Sequence, residues 1–415
     1  MQLTLPLLRQ TARPSIINSL CSRASLPAQL PSVSITRQHY PPRAPPIRPT
    51  SQPTRTMASR CSPPGSPSSI PDGGKLRASS IRIFEKVSTL RRWRQRLLLD
   101  QRSVAFIPTM GALHEGHLSL IRAAARENHH VVVSIFLNPA QFGVSEDFAS
   151  YPVTWDADIE ALIKLDRELA DDGNNLGRIS ALFHPTTGEM YPSGFPGQEL
   201  ASTGSFVTIT PLGDILEGKS RPTFFRGVAT VCMKLFNIVQ PTRVYFGQKD
   251  VQQTVLIKKM VRDFMLPLEV VVVPTTRAED GLALSSRNVY LGERRRARAT
   301  VLYDALKLAE DAYKSGARDR AAVLGRAKLY IKQVQGVQVA QGPERRTQIQ
   351  VDYLSLSDVD TMEELEVVDG AKGGILSGAI WMLPLEGIRE GEDLGYGQGP
   401  RVRLLDNIIL PPHDE

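Results

Sequence analysis

The feature that most constrains this chain is a repeated switch of hydrophobic period. VAFI (residues 104–107) is a short apolar run, HLSLIRAAAREN after it has helical spacing, and VVVSIFL (131–137) is again continuous. Continuous apolar runs of this length suit strands buried on both faces. Strand, helix and strand in succession require a crossover, so the two strands run parallel.

The alternation continues. Residues 151–168 read as a helix, ISALF (179–183) as a strand, 226–239 as a helix and RVYF (243–246) as a strand. Residues 251–264 are again helical, and LEVVVVP (268–274) is a strand. Helical periodicity begins near Ile81, in IRIFEKVSTLRRWRQRLL. After Asn288 the pattern changes: 294–315 and 319–334 read as helices, then 351–357, 375–383 and the terminal RVRLLDNIIL as strands. The expected fold is α/β, a Rossmann-like doubly wound parallel sheet, with a second, smaller α+β domain at the C-terminal end. The expected boundaries are 1–75 for a disordered basic leader, 76–288 for the Rossmann-like domain and 289–415 for the smaller one. Ligands of such sheets bind beyond the carboxyl ends of the strands. Residues 171–177, 342–347 and 387–400 are polar insertions without a chemical motif, and no internal repeat is present.

Charge enters through the leader. Residues 1–71 contain eight arginines and no Asp, Glu or Lys; without those eight the 50 basic residues fall to 42, against 43 acidic ones. The near-neutral body gives no reason to expect nucleic acid. No apolar run is long enough for a membrane span. The Arg-, Ser- and Pro-rich leader resembles a mitochondrial transit peptide, with a plain disordered extension as the alternative. The compartment expected is mitochondrial or cytoplasmic, and Met57 offers a second start. Of the three cysteines, Cys21 and Cys61 lie in the leader, so the body holds only Cys232 and no internal disulfide, as in a reducing compartment. Cys232 falls in an apolar helix and reads as core.

PTMGALHEGH (108–117) follows the first strand. Its histidines could hold a metal, hold a phosphate or simply pack. Zinc on one helix face needs H-E-x-x-H, and here the spacing is H-E-x-H. A strand entering a glycine-containing turn and then a helix start gathers free N–H groups and the positive end of the helix dipole, which favours an anion. Gly111 and Gly116 permit close backbone approach. The reading is a nucleotide-phosphate site.

HEGH also fits the H-x-G-H pattern of the nucleotidyltransferases. Four segments occur in order: FIPTMGALHEGHLSLIRAA, FLNPAQFG, YFGQKDVQQ and RAEDGLALSSRN. Together they resemble the pantoate–β-alanine ligase family, from about Ile81 to the C-terminus and most densely over 106–288. The resemblance implies an ATP-dependent ligase that joins pantoate to β-alanine through a pantoyl adenylate, releasing pyrophosphate and AMP. It makes 76–288 the ATP- and pantoate-binding domain and 289–415 a lid.

Residue by residue, it implies that Met110, Gly111, Ala112, Leu113, His114, Glu115, Gly116 and His117 form the ATP-binding turn. His117 and His114 would stabilise charge on the α-phosphate and the departing pyrophosphate. Gly247, Gln248, Lys249 and Asp250 match the second ATP segment, with Lys249 as a catalytic cation and Asp250 on the ribose. Leu284, Ser285, Ser286 and Arg287 match the loop that binds the outer phosphates, and Thr276 the adenine contact. Gln141 and Gln253 match the pantoate glutamines. Asn138, in an Asn-Pro turn beside Gln141, is expected to bind the substrate with them. Mg²⁺ is expected as the ATP counterion, held mostly by phosphates. A homodimer is implied too. One segment departs from the family's pattern: RPTFFRGV (221–228) stands where RPGHFRGV is usual, so a histidine donor is missing near Arg221. A nucleotidyltransferase acting on another cofactor precursor is the alternative, but a phosphorylated acceptor would call for more cationic residues than Gln141 and Gln253 supply.

Overall fold

Among the described residues, six parallel strands stand in the order β1-β4-β3-β2-β5-β6. They are β1 (Arg82–Phe84), β2 (Val104–Thr109), β3 (His130–Ile135), β4 (Arg178–Phe183), β5 (Arg243–Gly247) and β6 (Glu269–Val273). The computed structural model describes residues 71–143, 147–199 and 201–412. The leader, with Cys21, Cys61 and Met57, lies outside them.

The strands alternate faces with period two. Val104 and Phe106 of β2 and Val132 of β3 enter one apolar cluster; Ala105, Ile107, Val131 and Val133 enter the other. Each cluster is roofed by helices, so both faces are buried and the runs must be apolar throughout. Helix α1 (Val87–Leu99) packs in the first cluster; α2 (Glu115–Glu127) and α3 (Trp155–Asp171) pack in the second. Two one-turn helices, α4 (Thr187–Met190) and α5 (Glu217–Ser220), precede α6 (Phe224–Val239) and α7 (Val251–Asp263), which complete the first layer. Cys232 of α6 is buried in that layer, as expected, and burial pushes its thiol up to about 12.

A second sheet is antiparallel, in the order β7 (Ile349–Ser357), β8 (Gly374–Met382), β9 (Val402–Leu410). After α8 (Gly292–Arg296), helices α9 (Val301–Lys314) and α10 (Arg320–Val339) cover one face and form a third apolar cluster. This is the expected fold class. Among the described residues no helix is long and apolar enough to cross a membrane.

Two elements differ from expectation. The helix placed from Ile81 begins only at Val87, because residues 82–84 form the edge strand β1, paired with β4. Ile81 and Ile83 enter one layer and Phe84 the other, a two-residue period too short to stand out from the helical pattern that follows. The helix expected over 294–315 is two helices. At the break Arg294 and Arg295 turn inward: Arg295 donates to the carbonyls of Tyr290, Leu291, Leu394 and Pro400, and Arg294 to those of Pro343 and Gly387. These contacts pin the insertion 387–400 against α8.

Candidate active site

β2 ends at Thr109, at the carboxyl edge of the sheet between β3 and β5. The turn beyond it is left-handed at Gly111 (φ 88°) and at Ala112 (φ 49°). A non-glycine residue in that region costs roughly 1–2 kcal/mol, so something must hold it. Asp158 of α3 does so: its carboxylate accepts from the N–H of Ala112 at 2.9 Å and of Leu113 at 2.8 Å, and from the Thr154 hydroxyl at 3.0 Å. Burial raises the Asp158 pKa, and these three donors pull it back. In the sequence Asp158 is one of two acids in the first turn of a helix, and nothing marks it out.

Helix α2 starts with His114 as its N-cap. The His114 Nδ1 accepts from the N–H of Gly116 at 3.1 Å, and the His117 Nδ1 accepts from the N–H of His114 at 3.3 Å. Burial, with Lys249 nearby, pushes His114 down to about 4; burial, then His114 and Lys249, push His117 down to about 3. Both rings are therefore neutral near pH 7. Because backbone N–H groups can only donate, Nδ1 of each ring is unprotonated, and Nε2 carries the hydrogen. The capping geometry thus makes both histidines neutral Nε2–H donors. Their centroids lie 4.2 Å apart. A Cβ on Gly116 would stand 2.8 Å from the His114 Cε1, so glycine is needed for that ring position.

The histidines line a cleft at the carboxyl end of the sheet. Met110 and Gly116 join them from the turn, Gly247 from the end of β5, Lys249, Asp250 and Gln253 from the segment after it, and Thr276, Leu284, Ser285, Ser286 and Arg287 from the segment after β6; Gln141 closes one side. Lys249 Nζ is 3.3 Å from the Asp250 carboxylate. The Ser286 hydroxyl donates to the Ala112 carbonyl at 3.0 Å, latching the serine loop onto the histidine turn. The Ser285 hydroxyl accepts from the Arg287 N–H, and the Thr276 and Ser119 hydroxyls lie 3.0 Å apart. The two adjacent glutamines divide their work: Gln253 faces the cleft, whereas Gln252 is buried and donates to the carbonyls of Leu212 and Ile215.

Other expected residues serve the cleft from behind. Gly111, Ala112 and Leu113 contribute through backbone geometry. Glu115 points to solvent and pairs with Arg122. Asn138 is 1% exposed and lies beneath the cleft. Gln248 donates to the Asn407 Oδ1 at 3.2 Å, and Asn407 returns bonds of 2.8 Å to the carbonyls of Gln248 and Lys249. β9 therefore braces the turn that carries Lys249. Its neighbour Asp406 grips Arg277 at 2.6 and 2.9 Å. Sequence reading missed Asp158, Asp406 and Asn407, since their partners are far away in the chain.

The unusual RPTFF segment has a local role. The Arg221 guanidinium lies 3.8 Å from the centroid of the Phe224 ring and donates to the Gln141 carbonyl at 3.2 Å. Phe224 is a platform for Arg221 at the position where the resemblance implied a histidine.

The family pattern described as Pantoate-beta-alanine ligase matches residues 82–409. The pantothenate synthetase of Moorella thermoacetica is 42% identical over 312 residues, 75% of this chain and 92% of that protein. The crystal structure of pantothenate synthetase from Thermus thermophilus superposes with a TM-score of 0.61 at 37% identity, covering 79% of this chain and 99% of that one. The pantoate-beta-alanine ligase of Francisella tularensis, solved in complex with beta-gamma ATP and beta-alanine, gives a TM-score of 0.54 at 28% identity, covering 80% and 100%.

Proposed function

The chain belongs to the pantoate–β-alanine ligase family, and from that premise we propose that it makes pantothenate in two steps through pantoyl adenylate. The pantoate carboxylate attacks the α-phosphorus of ATP and expels pyrophosphate. The β-alanine amine then attacks the acyl carbon, forming the amide and releasing AMP. The observation that carries this reading is the pair of neutral Nε2–H donors that line one cleft with Lys249. Charge grows on the α-phosphate and on the leaving pyrophosphate, and donors already held in place stabilise it without reorganising. Lys249 contributes a point charge, and Ser285, Ser286 and Arg287 take the outer phosphates. Asp250 accepts from the ribose, Thr276 lies at the base, and Gln141 and Gln253 hold pantoate. Phe224 leaves this set one donor short of the usual pattern, with Arg221 turned toward the Gln141 backbone.

Mg²⁺ would travel with ATP. Among the described residues no group of three or more His, Cys, Asp or Glu is placed to hold a metal ion, so phosphate oxygens would be its main ligands. When bound, it would neutralise phosphate charge. Residues 289–415 act as a lid over the cleft, and the protein works as a homodimer in the cytoplasm or mitochondrion.

The test is exchange of labelled pyrophosphate into ATP. The protein should catalyse it with pantoate present and not without. A preparation that makes pantothenate with no exchange, and releases ADP, would exclude the adenylate route.

A further inference from the structure

Gln141 lies on the cleft wall, but which end of its amide it offers is decided elsewhere. Asn138 is the hinge of that decision. Its Oδ1 lies 3.4 Å from the N–H of Ala140, a group that can only donate. Its Nδ2 lies 3.3 Å from the Gly227 carbonyl, a group that can only accept. Backbone chemistry therefore fixes the Asn138 amide in one orientation. So oriented, its Nδ2 donates to the Gln141 Oε1 at 3.1 Å. The Gln141 oxygen is thereby engaged away from the substrate, and its Nε2 is turned to the Met110 sulfur at 3.0 Å and the cleft.

The backbone bonds to Asn138 are long, and the short one comes from Tyr191. The Tyr191 hydroxyl donates to the Asn138 Oδ1 at 2.6 Å. Tyr191 follows α4, is 5% exposed and is not part of the cleft wall. Its ring is held from two sides, by the Lys234 ammonium 4.4 Å from the centroid and by the Phe195 ring at 5.6 Å. Burial raises the pKa of its hydroxyl, so it keeps its proton and remains a donor. Gly227 completes the arrangement: a Cβ there would stand 2.1 Å from the Ala140 carbonyl oxygen, so only glycine lets α6 approach this loop.

We infer that Tyr191 is a positioning residue for substrate recognition: through Asn138 it locks Gln141 with its NH₂ toward the cleft, so that this point of the site selects an oxygen acceptor on the acid substrate, a carboxylate or hydroxyl oxygen, over a group that can only donate. The inference rests on the pantoate reading for the identity of the acid, and on the hydrogen-bond polarity alone for the direction of the relay.

Tyr191→Phe removes one hydroxyl and keeps the ring. It should raise KM for pantoate about tenfold, the size expected from about one net hydrogen bond, with KM for ATP unchanged. In the Gln141→Ala background the same change should add nothing, because the relay then has no end point. Equal rises in both KM values, or a Tyr191→Phe effect that persists without Gln141, would overturn the relay. A second readout needs no turnover. In ¹⁵N-labelled protein the Gln141 side-chain NH₂ pair, identified by its loss in Gln141→Ala, should shift in Tyr191→Phe. An unmoved pair would also overturn the relay. A wild-type protein inert toward pantoate would sink the functional reading and leave this second readout decisive for the relay.

Discussion

At the scale of single residues the site depends on proton placement. His114 and His117 are held neutral, at about 4 and about 3, whereas an unfolded chain protonates its histidines near 6.5. Below about pH 6.5 the unfolded state therefore binds more protons than the folded one. The stability these rings contribute is complete above that pH and is lost as pH falls toward about 4 and about 3. Between pH 7 and 5 the wild-type protein should lose more urea-unfolding free energy than a His114→Gln, His117→Gln double variant; equal losses would refute the shifts. Gly116 makes a different prediction. In Gly116→Ala the new methyl group meets the His114 ring, and a ring can swing where a backbone cannot. The fold should survive with a small change in thermal midpoint while pyrophosphate exchange drops at least tenfold, by analogy with a displaced transition-state donor.

At the scale of elements, the turn after β2 and helix α3 are one working unit. HEGH displays the site's donors, but Asp158 of α3 holds the backbone that presents them. Asp158→Ala would leave two N–H groups of a strained turn without their acceptor, each costing about 1–3 kcal/mol when buried. We expect a lower denaturant midpoint together with a higher KM for ATP. Loss of stability at unchanged KM would show that the turn holds its shape without the carboxylate. The motif was legible because it is contiguous and its glycines and histidines each have a geometric reason to be there. Asp158 was not, because an acid in a helix's first turn is common for dipole reasons alone. Strand β1 was hidden for a related reason: three residues pairing with a strand almost a hundred positions later leave no local signal.

At the scale of the molecule, the second sheet is part of the site. β9 reaches the first sheet with Asp406 on Arg277 and Asn407 on the carbonyls of Gln248 and Lys249. Arg403, beside them, binds the carboxylates of Glu217 and Asp352. Asn407→Ala should slow the pyrophosphate-forming step by freeing the Lys249 turn, with the slowing seen in kcat for exchange; unchanged exchange would show that the turn is rigid unaided.

The one-dimensional pattern of the chain was enough to set the layered α/β architecture, the parallel direction of the main strands and the segments that meet at their carboxyl ends. It could do so because hydrophobic period and motif spacing are local properties that survive in one dimension. Folding alone settles which nitrogen of each histidine is the donor, what supports the left-handed turn, and that a strand near the C-terminus braces Lys249. Those outcomes depend on backbone groups and side chains brought together from distant parts of the chain, where a hydrogen bond is set by a few tenths of an ångström.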